Sequence, residues 1–462
     1  MDSNVQLLRD WLTAHEDELV ETTREMLRIP SIEGEPEPNA PYGAENRRAL
    51  DYALKLASEA GMETVDLEGH LGHATFGSGD KLIMSLGHID VVPVGPGWKH
   101  EPFGAELENG YIYARGSTDD KGPTIASFFA MRAIKEALPD LGVRFRQAFG
   151  CNEESGFGCV ERYVQTEEAP TFGVAPDSGW PLYHAEKGIC DLVIDVKIPA
   201  SDFQLIDAHG GQRPNIVIDS FRATVRVGDA VRAEVESKLA DAWDRNVTAV
   251  WDGNLLQITA IGKAAHGATP MDGDSAAIRG FRFIRDLAPL NDQEFYYTLF
   301  HMGHIGGAGL GIAGADVPSK DLTTNLGVIT FADGVLTQLF NIRYPVTFKG
   351  TDLQTAAQAK LGDLFSVRIE RDSAPLYFPL DHPLVQTVID VYAEETGERK
   401  ASGTMGGGTY ARAIPNSVSI GTGWLGDGNA HETDERLAVA SLIKMARIYA
   451  HIFYRLALVA KG

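Results

Sequence analysis

Apolar positions at Val5, Leu8, Leu12, Leu19 and Leu27 recur at helical spacing, so an amphipathic helix is expected over residues 3–29. Four prolines and a glycine within residues 30–41 then force a loop. A second helix is expected from about residue 44 to 60, stopped by Gly61. After that the period changes. The run KLIMSL (residues 81–86) reads as a short buried strand, with Gly-His-Ile-Asp at its C-terminal end. A helix is expected over 124–138. A strand over 144–149 leads into CNEESGFG, and another over 172–175 leads into Pro-Asp177. Strands and helices in this order predict an α/β layer whose sheet is covered on both faces. The polar residues gather where strands end, the usual place for a site in such sheets.

From 188 to 380 the texture differs. Segments such as CDLVIDVKI, IVIDSFRATVRV, QITAIGKAA and LGVITFADGVLTQLFNIRYPV alternate apolar and polar positions, which predicts a β-rich α+β region. Helices are expected within it over 229–239, with Asp229 as N-cap, and over 273–287. The last section returns to the first texture, with a helix over 384–395, a buried strand over 417–420 and a helix over 435–451. The organisation read from this is one α/β domain in two parts, 1–187 and 381–462, interrupted by an insertion over 188–380. A chain of 462 residues suits two or three domains.

Charge narrows the function classes. Acidic residues outnumber basic ones 64 to 41, so no basic footprint for nucleic acid dominates the chain. Three cysteines cannot form a disulfide framework. The start, MDSNVQLLRDWL, has no basic stretch before an apolar core, so no secretion signal is expected. No apolar run reaches the ~18 residues of a membrane span, and the tail IFYRLALVA, interrupted by Arg455, reads as the end of a packed helix. A cytoplasmic protein with no membrane or nucleic-acid partner is the expectation.

Five spots carry chemistry: His88 with Asp90, Asp119, Glu153 with Glu154, Asp177, and His431. Each follows an apolar segment or sits in a glycine-rich turn. In a strand, residues two apart share a face, so a His-x-Asp pair can point one way. Imidazole and carboxylate suit zinc, manganese or cobalt. Two histidines with several carboxylates suffice for two divalent ions about 3.5–4 Å apart, a pair able to activate water and hold a carbonyl oxygen. Taken singly, a His-x-Asp pair is more often a surface pair, and paired glutamates a solvated face. The concentration of five such spots in one α/β region is what brings a metal site to even weight.

The stretches SLGHIDVVPVG, GWKHEPFGAELENGYIYARGSTDDKGP, FGCNEESGFG and GVAPDSGWPLYHAEKG closely resemble the M20 family of metallopeptidases, and within it the branch of carnosinase-like dipeptidases. The resemblance continues through DVPSKDLTTNLGVI, NIRYP, GGTYAR and the pair His431-Glu432. It implies a zinc-peptidase-like α/β/α catalytic domain interrupted by an inserted α+β lid. It implies two divalent ions per chain, zinc first and manganese or cobalt as alternatives. His88 and Asp177 would hold one ion, Glu154 and His431 the other, with Asp119 between them and a cis bond from Asp119 to Asp120. Glu153 would be the general base, Asp90 the residue that orients His88, and His266, in AAHGATP, the oxyanion donor. Asn215 and Arg343 would hold the substrate's C-terminal carboxylate, with Gly407 and Gly408 nearby, and Asp120 would attract its free amine. One departure is visible: the family pattern Asn, apolar, Val, Pro after the lid glycines is Asn215-Ile-Val-Ile218 in this chain.

The expected activity is metal-dependent dipeptide hydrolysis by a monomer, with a homodimer as the other arrangement. The alternatives are an M20-type amino-acid deacylase or tripeptidase, and more remotely a non-catalytic metal-binding or assembly protein. No G-x-S-x-G elbow points to a serine hydrolase, and no G-x-G-x-x-G follows a first strand for a dinucleotide.

Overall fold

The computed structural model describes residues 2–462. The chain folds as two compact units. One comprises residues up to 184, 378–403 and 408–462; the other comprises 185–377 and 404–407.

In the first unit the strands lie in the order Glu63–Asp66, Leu71–Gly77, Arg144–Gly150, Leu82–His88, Phe172–Ser178, Ser417–Gly421, and then the strand that begins at Leu182. Leu82–His88 runs parallel to both its neighbours, and Ser417–Gly421 runs parallel to Phe172–Ser178. Leu82–His88 is buried along its whole length, as a central parallel strand should be. Its register sets His88 beside Gly150. The C-terminal ends of three parallel strands therefore open together, and each runs into residues singled out above: His88, the Glu153 loop, and Asp177.

Helices Lys121–Ala137 and Val439–Lys461 pack on one another and on the central strand. Ala44–Glu59 covers the strands Glu63–Asp66 and Leu71–Gly77. Lys121 is fully buried, and its ammonium donates to the carbonyls of Met26 (3.3 Å) and Ile29 (2.5 Å) just past the helix Glu16–Leu27. A cation there meets the negative end of that helix.

Several expectations need correction. The helix over 3–29 is two helices, Ser3–Ala14 and Glu16–Leu27. His15 breaks it: its ring stacks on Trp11 at 3.8 Å and its Nδ1 lies 2.7 Å from the Trp11 carbonyl oxygen. Glu16, Asp17 and Glu18 then favour a new N-terminus. The last helix begins at Val439 and not at 435, because Arg436–Ala438 pairs as a strand with Tyr111–Tyr113. It continues through the apolar tail to Lys461.

The second unit is built on an eight-stranded sheet, in the order Val247–Asp252, Leu255–Ile261, Ser220–Val227, Phe203–Gly210, Thr323–Ala332, Val335–Tyr344, Gly188–Lys197, Phe365–Ser373. Every neighbouring pair is antiparallel. Ser220–Val227 buries every second residue, the mark of a sheet packed on one face. Ala276–Leu287 lies on that strand and on Leu255–Ile261. Gly280 makes the approach possible, since a Cβ there would stand 2.3 Å from the Phe221 ring. Two helix starts are corrected. Asp229 is the first helical residue of Asp229–Asp241 and Gly228 is its N-cap; the later helix starts at Ala276, where Ser275 accepts from the Ile278 N–H.

Phe221 is fully buried with its ring 5.1 Å from that of Phe281. Phe221→Ala should destabilise the inserted unit by about 3–5 kcal/mol. Urea unfolding followed by tryptophan fluorescence checks this, and a loss under about 1 kcal/mol would contradict the packing described.

Candidate metal centre

At the C-terminal edge of the parallel strands, His88 is fully buried. Its Nδ1 lies 3.0 Å from the main-chain oxygen of Asp90 and 3.5 Å from the carboxylate of the same residue. A carbonyl can only accept, so Nδ1 carries a proton, and Nε2 is the nitrogen left to face a metal ion. Nε2 faces Asp119, with Oδ1 at 3.0 Å. The other Asp119 oxygen is 3.1 Å from His431 Nε2, and His431 Nε2 is also 3.1 Å from Glu154. Asp119 thus stands between two imidazoles, as a carboxylate shared by two ions must.

The Asp90 carboxylate does more than face His88. Its two oxygens accept the N–H groups of Glu153 (3.2 Å) and Glu154 (3.1 Å). This ties the loop after Arg144–Gly150 to the end of Leu82–His88. One ligand atom from each of His88, Asp119 and Glu154 lies within 4.8 Å of the others, and the same holds for His88, Glu153 and Asp177. Glu153 and Glu154 therefore both come within 4.8 Å of His88, and this grouping does not separate base from ligand.

The peptide bond between Asp119 and Asp120 is cis. Asp120 is fully buried, and its Oδ2 accepts from the His88 N–H (3.1 Å) and the Thr124 hydroxyl (3.0 Å). Gly87 leaves room for this, since a Cβ there would stand 1.9 Å from Thr124 Oγ1. Asp120 faces the protein's own strand end. His431 sits in a loop where Asn429, His431 and Asp434 all have positive φ, a conformation these residue types tolerate better than most.

The electrostatics follow from the crowding. Burial, the Asp177 charge and the Glu154 charge push Glu153 well above the usual carboxylate range. Burial does the same for Asp120, helped by Asp177 and Asp119. Burial opposes charge on His88, but hydrogen bonds to Asp119 and Asp90 overcome it and raise its pKa. Hydrogen bonds to Asp119 and Glu154 raise His431 to about 10. Such a set of buried carboxylates needs more positive charge than two imidazoles carry. Oxygen donors with imidazole nitrogen suit a divalent ion such as zinc, manganese or cobalt, so the residues present fit two ions.

Within the second unit, the structure also gathers expected residues. The Asn215 carbonyl accepts the Gly267 N–H at 2.7 Å, and Ile216 bridges to His266. His266 Nδ1 accepts from the Ala268 N–H at 3.1 Å, which leaves Nε2 as the protonated, donating nitrogen. Arg343 is buried; its Nε donates to Asn341 Oδ1 (2.9 Å) and its Nη1 to the Gly406 carbonyl (2.8 Å), next to Gly407. Asn341 in turn donates to Asp191 at 2.6 Å. Thr323 pairs with Arg343 across the sheet and donates to the Ala268 carbonyl at 3.4 Å. Gly408 belongs to the first unit, where a Cβ would meet Arg412 Nη1 at 2.2 Å.

Sequence reasoning missed Tyr410 and Glu435. Tyr410 is buried with its ring edge-on to His88, and its hydroxyl meets the Asn152 N–H (3.3 Å) and Cys159 Sγ (2.8 Å). Glu435 lies buried behind Asp119. Their signal in the sequence is that Tyr410 lies inside GGTYAR and Glu435 stands four positions after His431.

An α/β unit with paired His/Asp/Glu clusters at its strand ends defines a metal-dependent hydrolase. Residues 84–455 match the model of peptidase family M20/M25/M40, and the chain belongs to that family. YtjP of Bacillus subtilis (strain 168), provisionally named a dipeptidase, is 34% identical over 459 residues, covering 96% of this chain and 97% of its own. A relative in Staphylococcus saprophyticus with a similar provisional name is 32% identical over 465 residues, covering 97% and 99%. The fold is also that of human carnosine dipeptidase 1, with a TM-score of 0.59 at 16% identity over 99% of both chains.

A ligating histidine must be neutral, so a metal ion on His431 would compete with its proton. With a pKa of about 10, the metal-free imidazole is charged at pH 7. Metal loading should release protons, and apparent affinity should rise with pH up to about 10. The same shift gives the metal-free chain a stabilising contribution that is complete below the unfolded value near 6.5 and fades as pH rises through about 10. Calorimetry of zinc binding in buffers of different ionisation enthalpy measures the release. Binding without proton release between pH 6 and 8 would remove His431 from the ligand set.

Proposed function

We propose that this chain is a dipeptidase that grips its substrate by the C-terminal carboxylate, the amine role expected of Asp120 being set aside because that side chain is buried against the protein's own strand end. The observation that carries the reading is Asp119 between the imidazoles of His88 and His431, with Glu153 and Glu154 on one loop beside them. Two divalent ions held there, zinc first, would supply a water of lowered pKa and a Lewis acid for the scissile carbonyl. His88 and Asp177 are assigned to one ion, Glu154 and His431 to the other, with Asp119 shared.

Glu153 is assigned as general base. It takes a proton from the attacking water and returns it to the leaving amine nitrogen. Its raised pKa in the metal-free chain suits a group that must both accept and give a proton once nearby positive charge lowers it. His266 offers its Nε2–H to the developing oxyanion. Arg343, oriented by Asn341, and Asn215 are assigned to the substrate's C-terminal carboxylate, Arg343 through charge-assisted hydrogen bonds. The Gly407 and Gly408 backbone borders this role. The names of the relatives support dipeptides as the substrate class. Three buried free cysteines suit a reducing cytoplasm, and no described helix is long and apolar enough to cross a membrane. A monomer is the favoured state.

Glu153→Ala should retain about two metals per chain while losing about 10²–10⁴-fold in kcat. Glu154→Ala should lose metal. Elemental analysis beside steady-state rates separates the two, and equal metal loss in both variants would refute the assignment of the base.

A panel of dipeptides with N-acetylated and C-amidated versions tests the substrate class. Free dipeptides should be cleaved well and their amides poorly, and Arg343→Ala should erase that difference by harming only the free acids. Amides cleaved as fast as free acids by the parent enzyme would dismiss the carboxylate role and favour the deacylase or tripeptidase alternative.

A further inference from the structure

The loop that carries His431 also carries Glu435, a side chain with no place in the chemistry above. It is completely buried. One carboxylate oxygen accepts from Arg115 Nη1 (2.8 Å) and the Gly116 N–H (3.1 Å). The other accepts from the Thr118 N–H (2.9 Å), the Thr118 hydroxyl (3.1 Å) and the Asp119 N–H (3.3 Å). Its own carbonyl accepts the Ala114 N–H at 3.1 Å. Residues 114–119 thus wrap around this one side chain and end at the shared carboxylate of Asp119. Gly116 permits the wrap: its φ is +87°, and a Cβ would come within 2.9 Å of Val91 and 3.1 Å of Lys121.

We infer that Glu435 is a positioning residue for the metal centre, holding the Asp119 loop in register with the His431 loop so that the two ligands meet. The geometry carries this. Glu435 reaches across 316 residues of chain to the Asp119 N–H and stands four positions after His431. Any shift of its carboxylate moves the Asp119 main chain against His431, whose contact with Asp119 is 3.1 Å. A buried ion pair such as Arg115–Glu435 is weak as a source of stability but well suited to fixing one arrangement among several. Five donors on one carboxylate leave no slack for a second arrangement.

The inference rests on the metal-centre reading, and cobalt tests the two separately. Glu435→Gln places an amide N–H against donors, and Glu435→Asp retracts the carboxylate by one methylene. Each should weaken cobalt binding about 10–100-fold and alter the visible d–d absorption of the loaded protein. Each should lower kcat by about 10²-fold, the scale of a 1 Å misplacement, with KM changed less than threefold. Leu442→Ala, a buried position in the last helix, is the control for general destabilisation. It should lower the melting temperature and leave cobalt affinity and spectrum unchanged. If the Gln variant fails to fold, the Asp variant carries the test alone. A parent that binds cobalt beside Glu435 variants of equal affinity and spectrum overturns the inference, as does a Leu442→Ala control that reproduces their changes. A parent that binds no cobalt overturns the metal-centre reading itself, and this inference falls with it.

Discussion

Asp119, Asp120, Glu153, Glu154 and Asp177 crowd around one buried imidazole, and their mutual repulsion is the constraint on which the first unit turns. Carboxylates out of water lose hydration, and neighbours of like charge add to the cost. The effect is visible in the upward shifts of Glu153 and Asp120, each led by burial and reinforced by adjacent carboxylates. The imidazoles of His88 and His431 offset part of it, and both are raised by the acids they touch. Divalent cations complete the balance. The sheet makes the crowding possible at all, because parallel strands in register bring their C-terminal ends, and the loops that follow, to one edge.

Two other carboxylates serve this arrangement through the main chain. Asp90 accepts the N–H groups of Glu153 and Glu154, and Glu435 accepts those of Gly116, Thr118 and Asp119. Loops leave main-chain donors unpaired, and buried ones must find acceptors. An ionised carboxylate is a strong acceptor for several at once. Each loop that presents an acid is thereby pinned by an acid from elsewhere in the chain. The inserted unit uses the same device with neutral links: Asp191 orients Asn341, and Asn341 orients Arg343, so a buried guanidinium keeps one direction.

Much of the architecture was legible from hydrophobic period. The helices Ala44–Glu59 and Pro383–Thr396 and the strands Leu82–His88 and Arg144–Gly150 stand within a few residues of where the pattern put them. The alternating texture of the middle section became an antiparallel sheet with one face packed. The misses were of another kind. His15 ends a helix by bonding the Trp11 carbonyl one turn back, Gly158–Thr166 is a helix just after a glycine-rich turn and too short to show a period, and Arg436–Ala438 is a strand only because Tyr111–Tyr113 lies beside it.

The sequence by itself pointed to the residues expected to carry the chemistry, since metal-ligating and proton-moving side chains recur in ordered motifs that resemble one family. It also determined the alternation of α/β and β-rich sections, because period is a property of neighbours along the chain. Only the tertiary structure decided how those residues are held. That His88 offers Nε2 and His266 offers Nε2–H depends on how the backbone two residues on is turned by the fold. That Asp120 turns inward and the Asp119 loop closes around Glu435 depends on partners tens to hundreds of residues away. Hydrogen bonds at that separation leave no periodic trace, because each is fixed by the register of packed strands and not by the residues adjacent to it.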